Sequence, residues 1–203
     1  MLTHWPKPIY VCFLLSSVLL AGCNSSTSTH LRPSTVEDSY AFLVEVGTSN
    51  QAMKPGLNRR VLNTVVSSAG NDIELLDDGC VRLQPGTYRL TGFSEITYEP
   101  RADANPETLP LPGYCFLYEK RFESDRQKLI ANAVATGNPS QSIYMVPSRF
   151  DTIAVFKEDV ILCIGHQNGQ DVTDLYLTYI DGDPAGQSTT RPMAQLGAVR
   201  LHD

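Results

Sequence analysis

The chain is short of positive charge and short of the residue patterns that carry familiar chemistry. Sixteen Lys and Arg face 22 Asp and Glu, a formal net charge of −6. Such a chain has no basic surplus with which to displace counterions, so binding to nucleic acid through its phosphates is excluded as an expectation. Its 4 His and 5 Cys include no Cys-x-x-Cys and no His-x-x-x-His spacing, which removes the usual zinc sites. A Gly-x-Ser-x-Gly elbow, a His-Glu-x-x-His pair and a phosphate-binding glycine loop are missing too. No internal repeat and no heptad pattern is found, which argues against solenoids and coiled coils. Beyond residue 20 no long apolar run occurs, so no later segment is expected to span a bilayer.

The first segment is the most informative one present. Met1 to Tyr10 is polar, with one cation, Lys7, and no acid; Val11 to Leu20 (VCFLLSSVLL) is apolar; Ala21 and Gly22 are small, and Cys23 follows. This is the order of a secretory signal: charged start, apolar middle, small residues at the cut. A transmembrane anchor would need roughly 20 apolar residues, and this run is shorter. Leu20-Ala21-Gly22-Cys23 resembles the lipobox of bacterial lipoproteins, which implies cleavage before Cys23 and acylation of its thiol. Several acyl chains on one residue hold a protein to a membrane stably, where a single chain binds only marginally. Asn24, where inner-membrane lipoproteins would carry Asp, implies the outer membrane.

The expected organisation is therefore a signal peptide over 1–22, a lipidated tether over 23–38, a folded domain over 39–181 and a tail over 182–203. Losing 1–22 removes one cation and no acid, leaving 15 against 22 and a net charge of −7. The tether is rich in Ser and Thr and has too few apolar residues to order itself. The domain is long enough for a sizeable core, and the 42% apolar content is ordinary. Three cysteines remain there, Cys80, Cys115 and Cys163, in a compartment that permits disulfides. One pair with one buried thiol, or three small core residues, both fit, and spacing does not choose between them.

Short runs of Val, Ile, Leu, Tyr and Phe bounded by turn residues predict strands over Tyr40 to Val46, Val61 to Val66, Val81 to Leu83 and Thr87 to Phe93. Others are predicted over Tyr114 to Tyr118, Thr152 to Phe156, Val160 to Gly165 and Leu175 to Ile180. Asp77-Asp78-Gly79, Pro85-Gly86 and Lys157-Glu158-Asp159 mark turns between them. Asn168-Gly169 suits a type I′ turn and predicts a hairpin between the two runs on either side. Lys128 to Thr136 reads as helix or strand. Four prolines between Glu99 and Gly113 predict an extended loop. In the tail, Leu196 to Leu201 is expected to dock as an edge strand or to stay loose. This pattern predicts an all-β fold, an antiparallel sandwich of jelly-roll type.

Arg60-Val61-Leu62-Asn63-Thr64 followed by Val81 to Leu90 (VRLQPGTYRL) is similar to the strand pair of small jelly rolls at phage tail-fibre ends. Those modules look like the tumour-necrosis-factor and complement-type jelly roll. Phe116-Leu117-Tyr118, Ser148-Arg149-Phe150, Thr152 to Phe156, Val160 to Gln167 and Leu175 to Tyr179 continue the match in order. The resemblance implies homotrimers. Independently of it, Tyr88 and Leu90 fall on one face of a strand and Thr87, Arg89 and Thr91 on the other.

Candidate chemistry is thin. His166 is the best single candidate for a base or a ligand, against a histidine hydrogen-bonded beside a turn. Cys163 lies three residues away on the same strand, so the two side chains face opposite sides. Asp171, Asp174, Asp181 and Asp183 could gather calcium but lack an EF-hand spacing. Arg59-Arg60 and Glu119-Lys120-Arg121 are either partner surface or solvated strand ends. Tyr98, Tyr114 and Tyr144 border loops and, with His166, are the candidates for a surface that meets another subunit or an unknown protein or glycan. No cofactor or metal is expected. The reading is a non-catalytic, membrane-anchored binding or structural module that self-associates. Its alternatives are an accessory subunit of a secretion or envelope machine and a hydrolase built around His166.

Overall fold

Alternation along the first strand sets the plan of the molecule. In β1 (Tyr40–Val46) Ala41, Leu43 and Glu45 turn inward and are buried, while Tyr40 and Phe42 face out. A computed structural model describes residues 39–47, 49–98, 113–140, 146–169, 175–178 and 192–201. The signal, Cys23, the tether, Tyr144, the proline-rich stretch after Tyr98 and the four aspartates considered for calcium lie outside these residues.

After β1 come β2 (Gln51–Ala52), β3 (Leu57–Arg59), β4 (Thr64–Ala69), β5 (Ile73–Leu75), β6 (Val81–Leu83), β7 (Gly86–Ser94) and β8 (Thr97–Tyr98). Then follow β9 (Tyr114–Glu119), a 3-10 turn over Lys120–Phe122, α1 (Arg126–Ala131), β10 (Ala135–Pro139), β11 (Ser148–Phe156), β12 (Val160–Gln167), β13 (Leu175–Thr178) and β14 (Pro192–Leu201). A five-stranded sheet has the order β11-β7-β14-β1-β4, and a six-stranded sheet has the order β10-β9-β12-β6-β5 with β3, its sixth strand, also on β12. All pairings are antiparallel. The pairs β1 with β14, β6 with β12, β7 with β11 and β9 with β10 nest inside one another along the chain. Alternate pairs fall in alternate sheets. That nesting is a jelly roll, as the strand pattern predicted, and a third sheet, β2-β13-β8, lies beside it.

Inward residues of the two large sheets form the main core. Leu43, Leu83, Tyr88, Leu90, Leu117, Leu162 and Leu196 are at most 1% exposed within it. Fully burying an aliphatic or aromatic side chain stabilises a fold by about 1.5–3 kcal/mol. The outer face of the six-stranded sheet is covered as well. Phe116, Tyr118, Cys163 and Cys80 meet Leu129 of α1 and Phe122, and Asp125 caps α1 by accepting from the Gln127 and Lys128 amides. Cys80 and Cys163 form a disulfide inside that layer, and Cys115 is a buried free thiol. The outer face of the five-stranded sheet has no such cover among the described residues.

Three expectations need correction. Leu196 to Leu201 is no edge strand: β14 runs through the middle of its sheet, between β7 and β1, because Leu196 and Ala198 both find the core. Among the described residues Asn168-Gly169 joins no hairpin, since β13 pairs with β2 and β8 and not with β12. The Asn168 side chain instead accepts from the Gly56 amide at 2.7 Å and donates to the Lys54 carbonyl at 3.1 Å, so it braces a neighbouring loop. Val61 to Val66 is a strand only from Thr64 onward, because the backbone at Arg60 and Asn63 bonds to Ile164 and Val44 in different sheets. Lys128 to Thr136 is both helix and strand: α1 ends at Ala131 and β10 begins at Ala135. Gly79 has φ +80°, and a Cβ there would lie 2.6 Å from the Val61 Cα, so the Asp77-Asp78-Gly79 turn admits glycine alone.

Asp72, in the turn between β4 and β5, ties down the start of β1 and the end of β14, which lie side by side. Its carboxylate accepts from the Ser39 hydroxyl at 2.5 Å and pairs with Arg200 at 2.8 Å. Hydrogen bonding from Ser39, then Arg200, holds its pKa below the ordinary value. A depressed carboxylate contributes stability that is present above the unfolded pKa, about 3.9, and is lost as pH falls through the native value. Asp72→Asn is therefore expected to cost about 1 kcal/mol at neutral pH. It should also flatten the fall in unfolding free energy below about pH 4, which urea titrations at stepped pH would measure.

Candidate functional site

The residues that could act together lie where β3, β7, β12 and β13 converge. Asn58, Arg60 and Leu62 are buried and Val61 is exposed, so the chain leaving β3 keeps a strand-like alternation with Arg60 on the inner side. The Arg60 amide donates to the Ile164 carbonyl at 2.9 Å, which fixes the side chain between the sheets with none of it exposed.

Its guanidinium reaches the five-stranded sheet and the small β2-β13-β8 sheet, while its backbone amide holds the six-stranded one. Nε donates to the Ser94 Oγ of β7 at 2.8 Å. One terminal nitrogen donates to the Leu177 carbonyl of β13 at 2.6 Å and lies 3.4 Å from the Glu45 carboxylate of β1. The other donates to the Glu95 carbonyl. Burial pushes the Glu45 carboxyl up from its ordinary value against the pull of Arg60, and pushes the Arg60 pKa down against the pull of Glu45. Guanidinium remains charged at any ordinary pH. The outcome is a buried cation with one buried anionic partner and two carbonyls.

His166 continues the network. Its Nδ1 is 2.8 Å from the Ser94 Oγ and its Nε2 is 3.5 Å from the Ser140 Oγ. In the neutral tautomer with its proton on Nε2, Ser94 accepts from Arg60 and donates to Nδ1, and Nε2 faces Ser140, whose hydroxyl donates to the Gly113 carbonyl at 3.1 Å. A single direction of donation runs from Arg60 to Gly113, and each polar atom in it is satisfied. Cys115 stands opposite His166 in the β9–β12 register. Its thiol donates to the Ser148 carbonyl at 3.2 Å, and burial raises its pKa, which keeps it a thiol.

A serine next to a histidine invites a nucleophilic reading, but the geometry opposes it. Ser94 and His166 are 0% exposed and Ser140 is 3% exposed, so the dyad lies inside the core. The Arg60 cation donates to the Ser94 Oγ, which draws electron density from the oxygen and makes it a poorer nucleophile. What the arrangement does is hold the small β2-β13-β8 sheet to the sandwich through a chain of hydrogen bonds.

The sequence candidates are dispersed. Arg59 and Arg60 part company: Arg59 sits near the surface, 3.4 Å from Glu123, and Arg60 is buried, so the pair is not a surface patch. Arg121 lies 2.5 Å from Glu119 and 3.3 Å from Glu158, and Lys120 pairs with Asp78. Tyr114 packs on the outer side of its sheet, its ring 6.2 Å from that of Phe116; His166 faces the inner side. Tyr98 is half-buried in a separate cluster with Met53, Ile96, Leu175 and Leu177. Among the described residues no group of three or more His, Cys, Asp and Glu side chains converges as for a metal. Arg60 was legible in principle, since Asn58-x-Arg60-x-Leu62 alternates toward one face; its charge argues the other way.

Among the described residues, the largest set of exposed apolar side chains lies on the outer face of the five-stranded sheet. Register places Ile153, Arg89, Val199 and Tyr40 in one row across β11, β7, β14 and β1. Val155, Thr87 and Leu201 form the row beside it. Ile153 and Val155 are 63% and 68% exposed, far more than core-facing residues of these strands.

No protein-family model matches the chain, and no curated protein matches it. Among solved structures it is similar to murine APRIL in crystals at pH 8.5 and pH 8.0, at 14% and 16% identity and a TM-score of 0.39 in both cases. Each comparison covers 81% of this chain and 99% of the other. The jelly-roll assignment rests on the nested strand pairs of the chain itself.

Proposed function

We propose that this is a non-catalytic, lipid-anchored module of the bacterial outer membrane, in which a jelly roll on a short tether associates with copies of itself and presents a partner-binding surface. The observation that carries the self-association is the bare apolar face of the five-stranded sheet. Contiguous exposed apolar patches on a folded domain mark interaction sites, and the opposite sheet hides its own outer face beneath α1. The tail-fibre resemblance makes a trimer the expected assembly. The anchor rests on the Leu20 to Cys23 pattern and on the apolar run before it. Among the described residues no helix is long and apolar enough to cross a membrane.

One specific contact favours a second reading, a hydrolase using Ser94 and His166 at 2.8 Å. Burial of both groups weighs against it. The first reading is tested by mass spectrometry of the chain purified from membranes. Removal of 1–22 and a diacylglyceryl thioether on Cys23 are expected; an unmodified Cys23 or a retained leader overturns the anchor. Sedimentation of the same material is expected to give an oligomer, and a monomer at every concentration overturns the self-association.

A further inference from the structure

Charge is sparse on the bare sheet face. Among outward positions of β11, β7, β14 and β1, the charged residues are Arg149, Asp151 and Arg89; β14 offers Gln195, Gly197, Val199 and Leu201, and β4 contains no charged residue. The Arg149 guanidinium stacks on the Phe93 ring at 5.5 Å, toward one end of the sheet. Arg89 and Asp151 instead sit among the apolar rows and bond through two contacts, Nη2 to Oδ2 at 2.8 Å and Nε to Oδ1 at 3.3 Å. Both side chains are more than half exposed. In water such a pair contributes little to stability, because screening and side-chain entropy offset the attraction. The pair matters only if the face is covered, when each charge depends on the other for compensation.

We propose that the Arg89–Asp151 pair sets the specificity of the face for a second copy of this chain. Resting on the self-association read above, it names the residues that govern it. The occupant follows from charge: the chain carries −6 overall, while the single acid of this face, Asp151, is already paired with Arg89, so two copies meeting here bring no unpaired acid against acid. The paired charges are of opposite sign, so neighbouring copies of the same face offer Asp151 to Arg89 and Arg89 to Asp151, from one neighbour in a dimer and from two in a trimer. A foreign apolar surface offers neither. Covering the pair intact is tolerated, whereas covering one charge alone is not.

The test is sedimentation velocity of the purified full chain, with detergent matched in density, over a range of concentrations. Arg89→Met and Asp151→Leu are each expected to weaken self-association at least tenfold. The Arg89→Met/Asp151→Leu double variant is expected to return to within about threefold of the parent or to bind more tightly. Thermal melts of all three should stay near that of the parent, since both sites are exposed. If the parent associates and the single variants match it, or the double variant is as weak as the singles, the specificity role is overturned and self-association stands. If the parent is a monomer throughout, both are overturned.

Discussion

Arg60→Met is expected to lower the free energy of unfolding by about 3–5 kcal/mol, because it strands a buried Glu45 carboxylate and leaves Ser94, Leu177 and Glu95 without their donor. The methionine fills much of the same space, so loss of volume is a minor part of the effect. The Arg60→Met/Glu45→Leu double variant removes the uncompensated charge and should recover part of the loss; the orphaned carbonyls keep it below the parent. Urea denaturation followed by circular dichroism measures both. The damage should also be local before it is global. Leu177 belongs to the β2-β13-β8 sheet, so amide exchange in β13 and β2 should accelerate in the variant more than exchange in β7 or β14. Equal acceleration everywhere would sink the idea that Arg60 ties the small sheet to the sandwich.

The same pair has a pH signature opposite to that of Asp72. Burial raises the Glu45 pKa in the native state, so the native chain holds a proton at pH values where the unfolded chain has released it. The contribution of this group to stability is largest below the unfolded value, about 4.3, and declines as pH rises toward the raised native value. Above that value the carboxylate is charged and the ion pair with Arg60 is complete. Asp72 acts in the other direction, losing stability as acid is added. Glu45→Gln should remove the first slope and leave the second.

Legibility of the fold followed how well each residue obeyed a local rule. Val81 to Leu83 and Thr87 to Phe93 alternate cleanly and are β6 and nearly all of β7, while Tyr40 to Val46, which is β1, was legible as a bounded apolar run, with Leu43, Val44 and Glu45 buried in succession. β2, β3, β5 and β8 are two or three residues long and carry no period that a sequence window can register. The destination of β13 was hidden for a different reason. Asn168-Gly169 is strong local turn chemistry, but the Asn168 side chain is committed to Lys54 and Gly56, more than a hundred residues away, and a tertiary contact of that kind overrides a dipeptide preference. Arg60 and Glu45 were unreadable as core because charged residues are seldom buried unless paired; the pairing spans two sheets. His166 was legible as a hydrogen-bonded histidine, but not as the link between Ser94 and Ser140.

Replacing both disulfide cysteines, Cys80→Ala/Cys163→Ala, is expected to cost about 4.5 kcal/mol. The bond closes a loop with a sequence separation of 83 residues, and the chain-entropy relation gives that value for such a loop at 25 °C. Between Cys80 and Cys163 lie β6 to β11, the 3-10 turn, α1 and part of β12, so the link restricts most of the jelly roll in the unfolded ensemble. In the folded state both sulfurs are shielded, at 0% and 1% exposure, beneath Leu129, Phe116 and Tyr118. Reductant should therefore act slowly on the native protein and quickly once denaturant opens it. Unfolding curves with and without reductant, compared with those of the double variant, separate the two effects: the parent in reductant should reach the midpoint of the variant only after passing through the unfolded state. A midpoint that does not move when the cysteines are replaced would mean that packing of α1 on the sheet, and not the covalent link, holds this layer in place.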